Sequence, residues 1–180
     1  MSMMRFKLRC IAISLAFVWR AAALVENRTI DDGDGDEHTH VLPEYRPVDR
    51  WKFKDCPTCA IHPDVSQTHG SSWHAGLYMP DQLSSLNILF PFEGTALYVY
   101  FILANGQNST TIQDTAVNFT LDDNPAGSFT HIGEAGKGLQ YRALVYHTTG
   151  LNQTQHSFFI ESSGASGKAY PIHFHPGEVG

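Results

Sequence analysis

Cationic side chains are scarce in this chain. Its 180 residues carry 12 Lys and Arg against 18 Asp and Glu, a formal net charge of −6. Phosphate binding needs clustered Lys and Arg, so this balance argues against nucleic acid as a partner, and it disfavours anionic membranes for the same reason. Long apolar runs are scarce as well. Beyond residue 23 none is long enough to span a bilayer, so no permanent span is expected in the mature chain. A nucleophile elbow, a glycine-rich phosphate loop and a dinucleotide fingerprint are all missing, which leaves no familiar catalytic motif to build on. No internal repeat and no convincing long helical period are visible.

Apolar residues make up 42% of the chain and aromatics 12%. That is enough for the core of one ordinary domain and argues against disorder throughout. Residues 1–23 read as a secretory signal peptide: "MSMMRFKLR" is basic, "CIAISLAFVW" is a short apolar run, and Ala21, Ala22 and Ala23 offer small residues for cleavage. Arg20 cuts the run short of the roughly 20 residues a spanning helix needs. Cleavage takes away Arg5, Lys7, Arg9 and Arg20 and no acidic residue, leaving 8 basic and 18 acidic residues, a net charge of −10. Four N-x-[ST] acceptors, at Asn27, Asn108, Asn118 and Asn152, fit the same secreted, extracellular destination.

After the signal, residues 24–50 are expected to form an acidic, flexible leader. "DDGDGDE", residues 31–37, should stay solvated, and Pro43 and Pro47 continue the irregular stretch. From Trp51 onward the dominant period is two. Leu86, Ile88, Phe90 and Phe92 share one face, and "TALYVYFIL", residues 95–103, is apolar on both faces, as in a central strand buried between layers. In "TAVNFTLDD", residues 115–123, a strand sends Val117, Phe119 and Leu121 inward and Asn118 outward, where a sugar can stand off the surface. "YRALVYHT" and "HSFFIESSG" read as further strands, and "DDNPAG" as a turn. Many short strands without a long helix predict an all-β, antiparallel β-sandwich.

The runs "WHAGLY", "ILFPFEGTALYVYFIL", "AVNFTLDD", "GSFTHI" and "YRALVYHTTGLNQTQHSFFIESSG" occur in an order that resembles a family of uncharacterised secreted proteins from basidiomycete fungi. In that family a galactose-binding-like jelly roll follows a signal peptide, often with a membrane helix further on. The resemblance covers roughly residues 51–165 and implies a jelly-roll sandwich there, without assigning any binding residue. It also implies a hydrophobic closing strand after "ESSG". This chain has "KAYPIHFHPGEVG" instead, whose two prolines make a poor strand. Residues 166–180 are therefore expected to be an irregular tail, from an altered or truncated end, beside a sandwich lacking its closing strand.

Several constellations compete as chemistry. Cys56 and Cys59 in "CPTC" are expected to pair as a disulfide in an oxidising compartment. A redox pair would need a following helix, which Pro63 and Gly70 oppose. Zinc held by Cys56, Cys59, His62, His69 and His74 is the third reading, and thiolate ligation competes there with oxidation. His38, His40 and Glu44 resemble part of a cupin metal motif, but the expected glycines and a second histidine motif are missing. They read, like "HFHPGE" at 173–178, as exposed clusters. An EF-hand begun at Asp32 fails, because Glu37 and Pro43 stand where glycine and glutamate belong. Asp122 and Asp123 are adjacent and cannot flank one glycosidic bond, so they are turn formers. Trp73, His74 and Tyr78 are the candidate ligand contacts, as an aromatic platform for sugar. Burial of Trp73 at the sandwich edge is the stronger alternative, since large aromatics are mostly buried.

The sum of these readings is a secreted glycoprotein acting as a non-enzymatic recognition module, with extracellular carbohydrate as the ligand class and no cofactor. Two rivals stand beside it: a metal-dependent cupin-like enzyme, and a structural wall or coat protein without a ligand site.

Overall fold

The computed structural model describes residues 27–54, 56–57, 59, 61–106 and 113–180. The expected signal peptide and Asn108 lie outside them. Ten strands follow one another: β1 (Arg28–Asp31), β2 (Gly35–Asp36), β3 (Glu44–Arg46), β4 (Trp51–Phe53), β5 (His74–Tyr78), β6 (Asn87–Leu103), β7 (Thr115–Leu121), β8 (Asn124–His131), β9 (Gln140–Ser162) and β10 (Tyr170–Val179). All pairings are antiparallel, in the order β2-β1-β10-β6-β9-β7-β8, with β3 beside β6 and with β5 joining β4 to β10.

Two long strands make this sheet close on itself. β6 and β9 pair from Asn87↔Glu161 to Leu103↔Gln140, with a register shift between Gly94 and Ala96. Four residues of β9, 150–153, have no partner at that shift, and such a bulge bends and twists a strand pair. The bend brings the two halves of β6 and β9 face to face. Phe90 from one half meets Phe174 of β10 at 5.9 Å between ring centroids, and Phe158 meets Tyr146 of the same strand at 4.6 Å. Ile88, Phe90, Val117, Phe119, Phe158 and Ile160 line one wall of the core, and Leu97, Val99, Phe101, Ile172 and Phe174 the other. The period-two pattern expected in 86–92 and 115–121 is what builds the first wall. Asn118 stands exposed between buried Val117 and Phe119, as the strand reading requires.

Three expectations are corrected here. The acidic segment is not a solvated leader. Ile30 is completely buried, and Asp31, Asp32 and Asp36 are buried with it. The Asp-Gly spacing lets each carboxylate cap nearby backbone: the N–H groups of Gly33 and Asp34 donate to Asp31 Oδ1 (2.8 and 2.9 Å), and those of His38 and Thr39 to Asp36 Oδ1 (2.9 Å each). Arg28 Nε adds a bond of 2.8 Å to Asp36 Oδ2. Burial pushes the Asp36 carboxyl up, but the Thr39 N–H, Arg28 and the His38 N–H outweigh it and hold it below the usual range.

The tail, likewise, is not irregular. β10 lies inside the sheet, with β1 and β5 along one side and β6 along the other. Its prolines are accommodated: Pro171 pairs with Leu77 near the strand end, and Pro176 falls within the register shift between His175 and Glu178. The closing strand is therefore present, and strands outside 51–165 complete the sheet. Lastly, "TALYVYFIL" is not covered on both faces along its whole length, a point that shapes the site below.

Candidate functional site

The residues singled out by spacing do not come together as one site. Cys56 and Cys59 form a disulfide, with Cα atoms 5.4 Å apart, so neither thiolate is free for zinc. His62 lies beside them with Lys54 and Pro57 around a shallow depression of about 350 Å³. His38 and His40 sit on an exposed turn, and the Glu44 carboxylate is engaged by Arg46 (2.8 and 2.6 Å). Among the described residues no three His, Cys, Asp or Glu side chains gather in metal-ligating geometry.

Of the two readings of residues 73–78, the aromatic platform fails and the burial of Trp73 holds. Trp73 is 1% exposed and Tyr78 8%, so neither ring offers a face to a sugar. Trp73 packs instead with Cys56, Ala75 and Ile102 beneath the disulfide-bearing loop. His74 reaches across to the acidic segment, its Nδ1 2.7 Å from Asp32 Oδ2, while Ser72 Oγ–H donates to Asp32 Oδ1 (2.6 Å). Tyr45 stacks on the His74 ring at 4.2 Å and donates its hydroxyl to the Asp32 carbonyl. Burial, then Asp32 and Asp31, push the Tyr45 hydroxyl well above its ordinary range, so it remains a donor. Asp31 Oδ2 and the neighbouring Trp73 Nε1 are buried without a hydrogen-bonding partner among the described residues. The cluster ties residues 31–36 to 72–74 and serves the fold.

Asp122 and Asp123 form the β7–β8 turn, both with positive φ (50° and 61°). Asp122 does more than turn. Its Oδ2 lies 2.7 Å from His156 Nδ1, and His156 Nε2 lies 2.9 Å from the Asn152 carbonyl. Both neighbours accept, so the arrangement favours the imidazolium, in which both ring nitrogens carry hydrogen. The Asn152 carbonyl, then Asp122, outweigh burial and raise the His156 pKa. A raised histidine stabilises fully below its unfolded value of about 6.5 and loses that contribution as pH rises through the folded value. Thermal midpoints should therefore fall as pH rises from 6.5 through the raised value, and His156→Gln should remove the fall. A wild-type midpoint that stays flat over that window would rule the clasp out.

An open surface appears where the sequence suggested none. The outer face of the β10–β6–β9 region divides into two parts. At one end Ala75, Ile102 and His173 are roofed by Cys56, Cys59 and Trp73, and Tyr141 holds residues 61–73 beside them by accepting from the Asp64 N–H (2.7 Å). At the other end the roof stops. Thr29, Glu178, Tyr98 and His147 form one row across β1, β10, β6 and β9, and Tyr100 pairs with Leu144 in the next. Tyr98 and Tyr100 are half-buried, while Arg142, Leu144 and His147 are exposed. The Arg142 guanidinium lies 5.3 Å over the Tyr100 ring and bonds Glu178 Oε1 at 2.6 Å. His147 lies nearly parallel to Tyr98, with centroids 6.2 Å apart. Burial, then Glu178, raise the Tyr100 hydroxyl above its ordinary pKa, so it is a donor at neutral pH. The signal for this face was present as Leu-Tyr-Val-Tyr-Phe: the inward positions are aliphatic or Phe, and the outward ones carry hydroxyls.

Strand order and curvature define an antiparallel jelly-roll β-sandwich. No protein-family model and no curated protein matches the chain. Among solved structures it is similar to a family 35 carbohydrate binding module from Clostridium thermocellum, with a TM-score of 0.51 and 11% identity over 85% of this chain and 96% of that one. It is similar also to part of the Agl-KA catalytic domain, with a TM-score of 0.51 and 12% identity over 85% of this chain but 27% of that one. The chain thus spans nearly all of the module and about a quarter of the larger protein, and the likeness is one of fold. No helix among the described residues is long and apolar enough to cross a membrane.

Proposed function

We propose that the protein is a secreted, glycosylated recognition module that binds carbohydrate without cleaving it. The observation that carries this reading is the unroofed sheet face with Tyr98, Tyr100 and Arg142. Aromatic rings supply apolar faces for sugar rings, and the guanidinium and phenol supply donors for hydroxyls. The match in extent to an independent carbohydrate-binding module supports it. The state of the acidic groups supports the non-catalytic part. Glycoside hydrolysis uses two carboxylates facing each other across the bond. Here Asp32 is engaged by His74 and Ser72, Asp122 by His156, and Glu178 by Arg142. Exposed Asn27, Asn118 and Asn152 leave room for glycans.

The test is depletion from solution by insoluble polysaccharides, with released reducing sugar measured in the same tubes. Retention on at least one polymer without sugar release is expected. Failure to bind any polymer would overturn the recognition role, and sugar release would overturn the non-catalytic one. Intact mass before and after enzymatic glycan removal tests signal cleavage and sequon occupancy.

A further inference from the structure

We infer that the unroofed face takes an extended, neutral polysaccharide chain, with Arg142 as the residue that sets the platform. The inference rests on the carbohydrate reading and assigns to it a ligand class and residues.

Shape argues for an extended chain. The row from Thr29 to His147 crosses four strands, a span of about 14 Å at the usual strand spacing. The roofed end, above Ile102 and His173, makes one wall. A site for a chain terminus would enclose the last sugar on several sides, whereas this surface accepts the interior of a polymer lying along it.

Charge argues for a neutral one. The rows themselves hold no Lys or Arg; Arg142 reaches them from beside Ala143, and Glu178 already neutralises it at 2.6 Å. The chain as a whole carries −6. A polyuronate would meet Glu178 and a like-charged protein, with no unpaired Lys or Arg among the described residues of this face to receive it. The Arg142–Glu178 pair instead presents N–H donors beside carboxylate acceptors, which suits sugar hydroxyls, groups that both donate and accept.

Backbone conformation marks Arg142. It has φ of 51° inside β9, a region that non-glycine residues rarely adopt, and register shifts lie nearby between Val99 and Tyr100 and between Phe101 and Leu103. Such outliers persist where the surroundings over-determine them. This one delivers the guanidinium onto Tyr100 and to Glu178, so Arg142 acts as a positioning residue for the ring as well as a donor.

Binding of wild type and variants to chitin, cellulose and mannan, with polygalacturonate and alginate as polyanions, tests the inference. Wild type should favour a neutral polymer. Tyr98→Ala and Tyr100→Ala should each weaken binding about tenfold or more. Arg142→Gly separates positioning from stability, because glycine is at home at this φ. Its thermal midpoint should hold or rise while affinity falls about tenfold. Glu178→Gln should fold and begin to retain polygalacturonate, through the unneutralised Arg142. A wild type that binds a neutral polymer equally well in the tyrosine variants overturns this site and leaves the recognition role standing. Preference of wild type for the polyanions overturns the ligand class. Failure of every polymer to bind removes the carbohydrate reading itself.

Discussion

Phe174→Ala is expected to destabilise the protein by about 3–5 kcal/mol, the range for removing a fully buried phenylalanine ring. Phe174 is completely buried and touches rings from three other places in the chain: Phe90 at 5.9 Å, Phe101 at 6.3 Å and Tyr45 at 6.4 Å. It stands where β10 pairs with β5 through His74 and with β6 through Phe101, so neither neighbour can collapse into the gap without breaking ladder bonds. Domains of this kind have about 5–15 kcal/mol in all, so the variant should lose a large share of its stability. Urea unfolding followed by tryptophan fluorescence measures it, and the midpoint should drop sharply with little change in slope. A loss below about 1 kcal/mol would mean that residues 170–179 do not occupy the core as described. The same strand explains why the tail matters: β10 supplies the only pairing between β1 and β6 in the described sheet path.

His173, one residue away, points the other way and should make the fold acid-sensitive. It sits under the roof with Trp73, ring centroids 6.3 Å apart, and its Nδ1 has no hydrogen-bonding partner among the described residues. Burial lowers its pKa to about 4, against an ordinary value of 6.5. The unfolded chain therefore binds a proton that the folded chain refuses between those two values. Stability is complete above about pH 6.5 and is lost as pH falls towards 4, by about 3 kcal/mol in all. His173→Leu keeps an apolar side chain under the roof and cannot titrate. Its stability should change much less than that of wild type between pH 6.5 and 4. Parallel acid limbs for the two proteins would show that His173 is not buried uncharged. His156 acts on the alkaline side, so together the two histidines predict a stability maximum near pH 6.5.

Much of the sandwich was legible in local pattern. Alternation at Ile88, Phe90 and Phe92 and at Val117 and Phe119 specifies which face is buried, because strand side chains alternate whatever the partner strand is. Asn118 could be placed on the outside from the same rule. The pairing of Cys56 with Cys59 followed from reading the chain as bound for an oxidising compartment. The acidic segment misled because its charges suggest hydration, while the groups that hold them, Ser72 and His74, lie about 40 positions further on. The tail misled because proline counts against a strand only where a ladder bond is required, and the register shift at His175–Glu178 is invisible without the partner strand. Trp73 and Tyr98 show the same limit from opposite sides. Both are large aromatics, yet one is roofed by a loop and the other is not.

By itself, then, the sequence determined a two-periodic, apolar-centred β chain with a net negative charge and an outward-facing Asn118, since these depend on composition and on neighbours one or two residues apart. Only the tertiary structure decided that residues 28–31 and 170–179 complete the sheet, that Tyr78 is buried with Trp73, and that Tyr98, Tyr100 and Arg142 share an open face. Each of those depends on contacts between segments tens of residues apart, where Cys56, Cys59 and Trp73 cover one part of the sheet and leave the rest open.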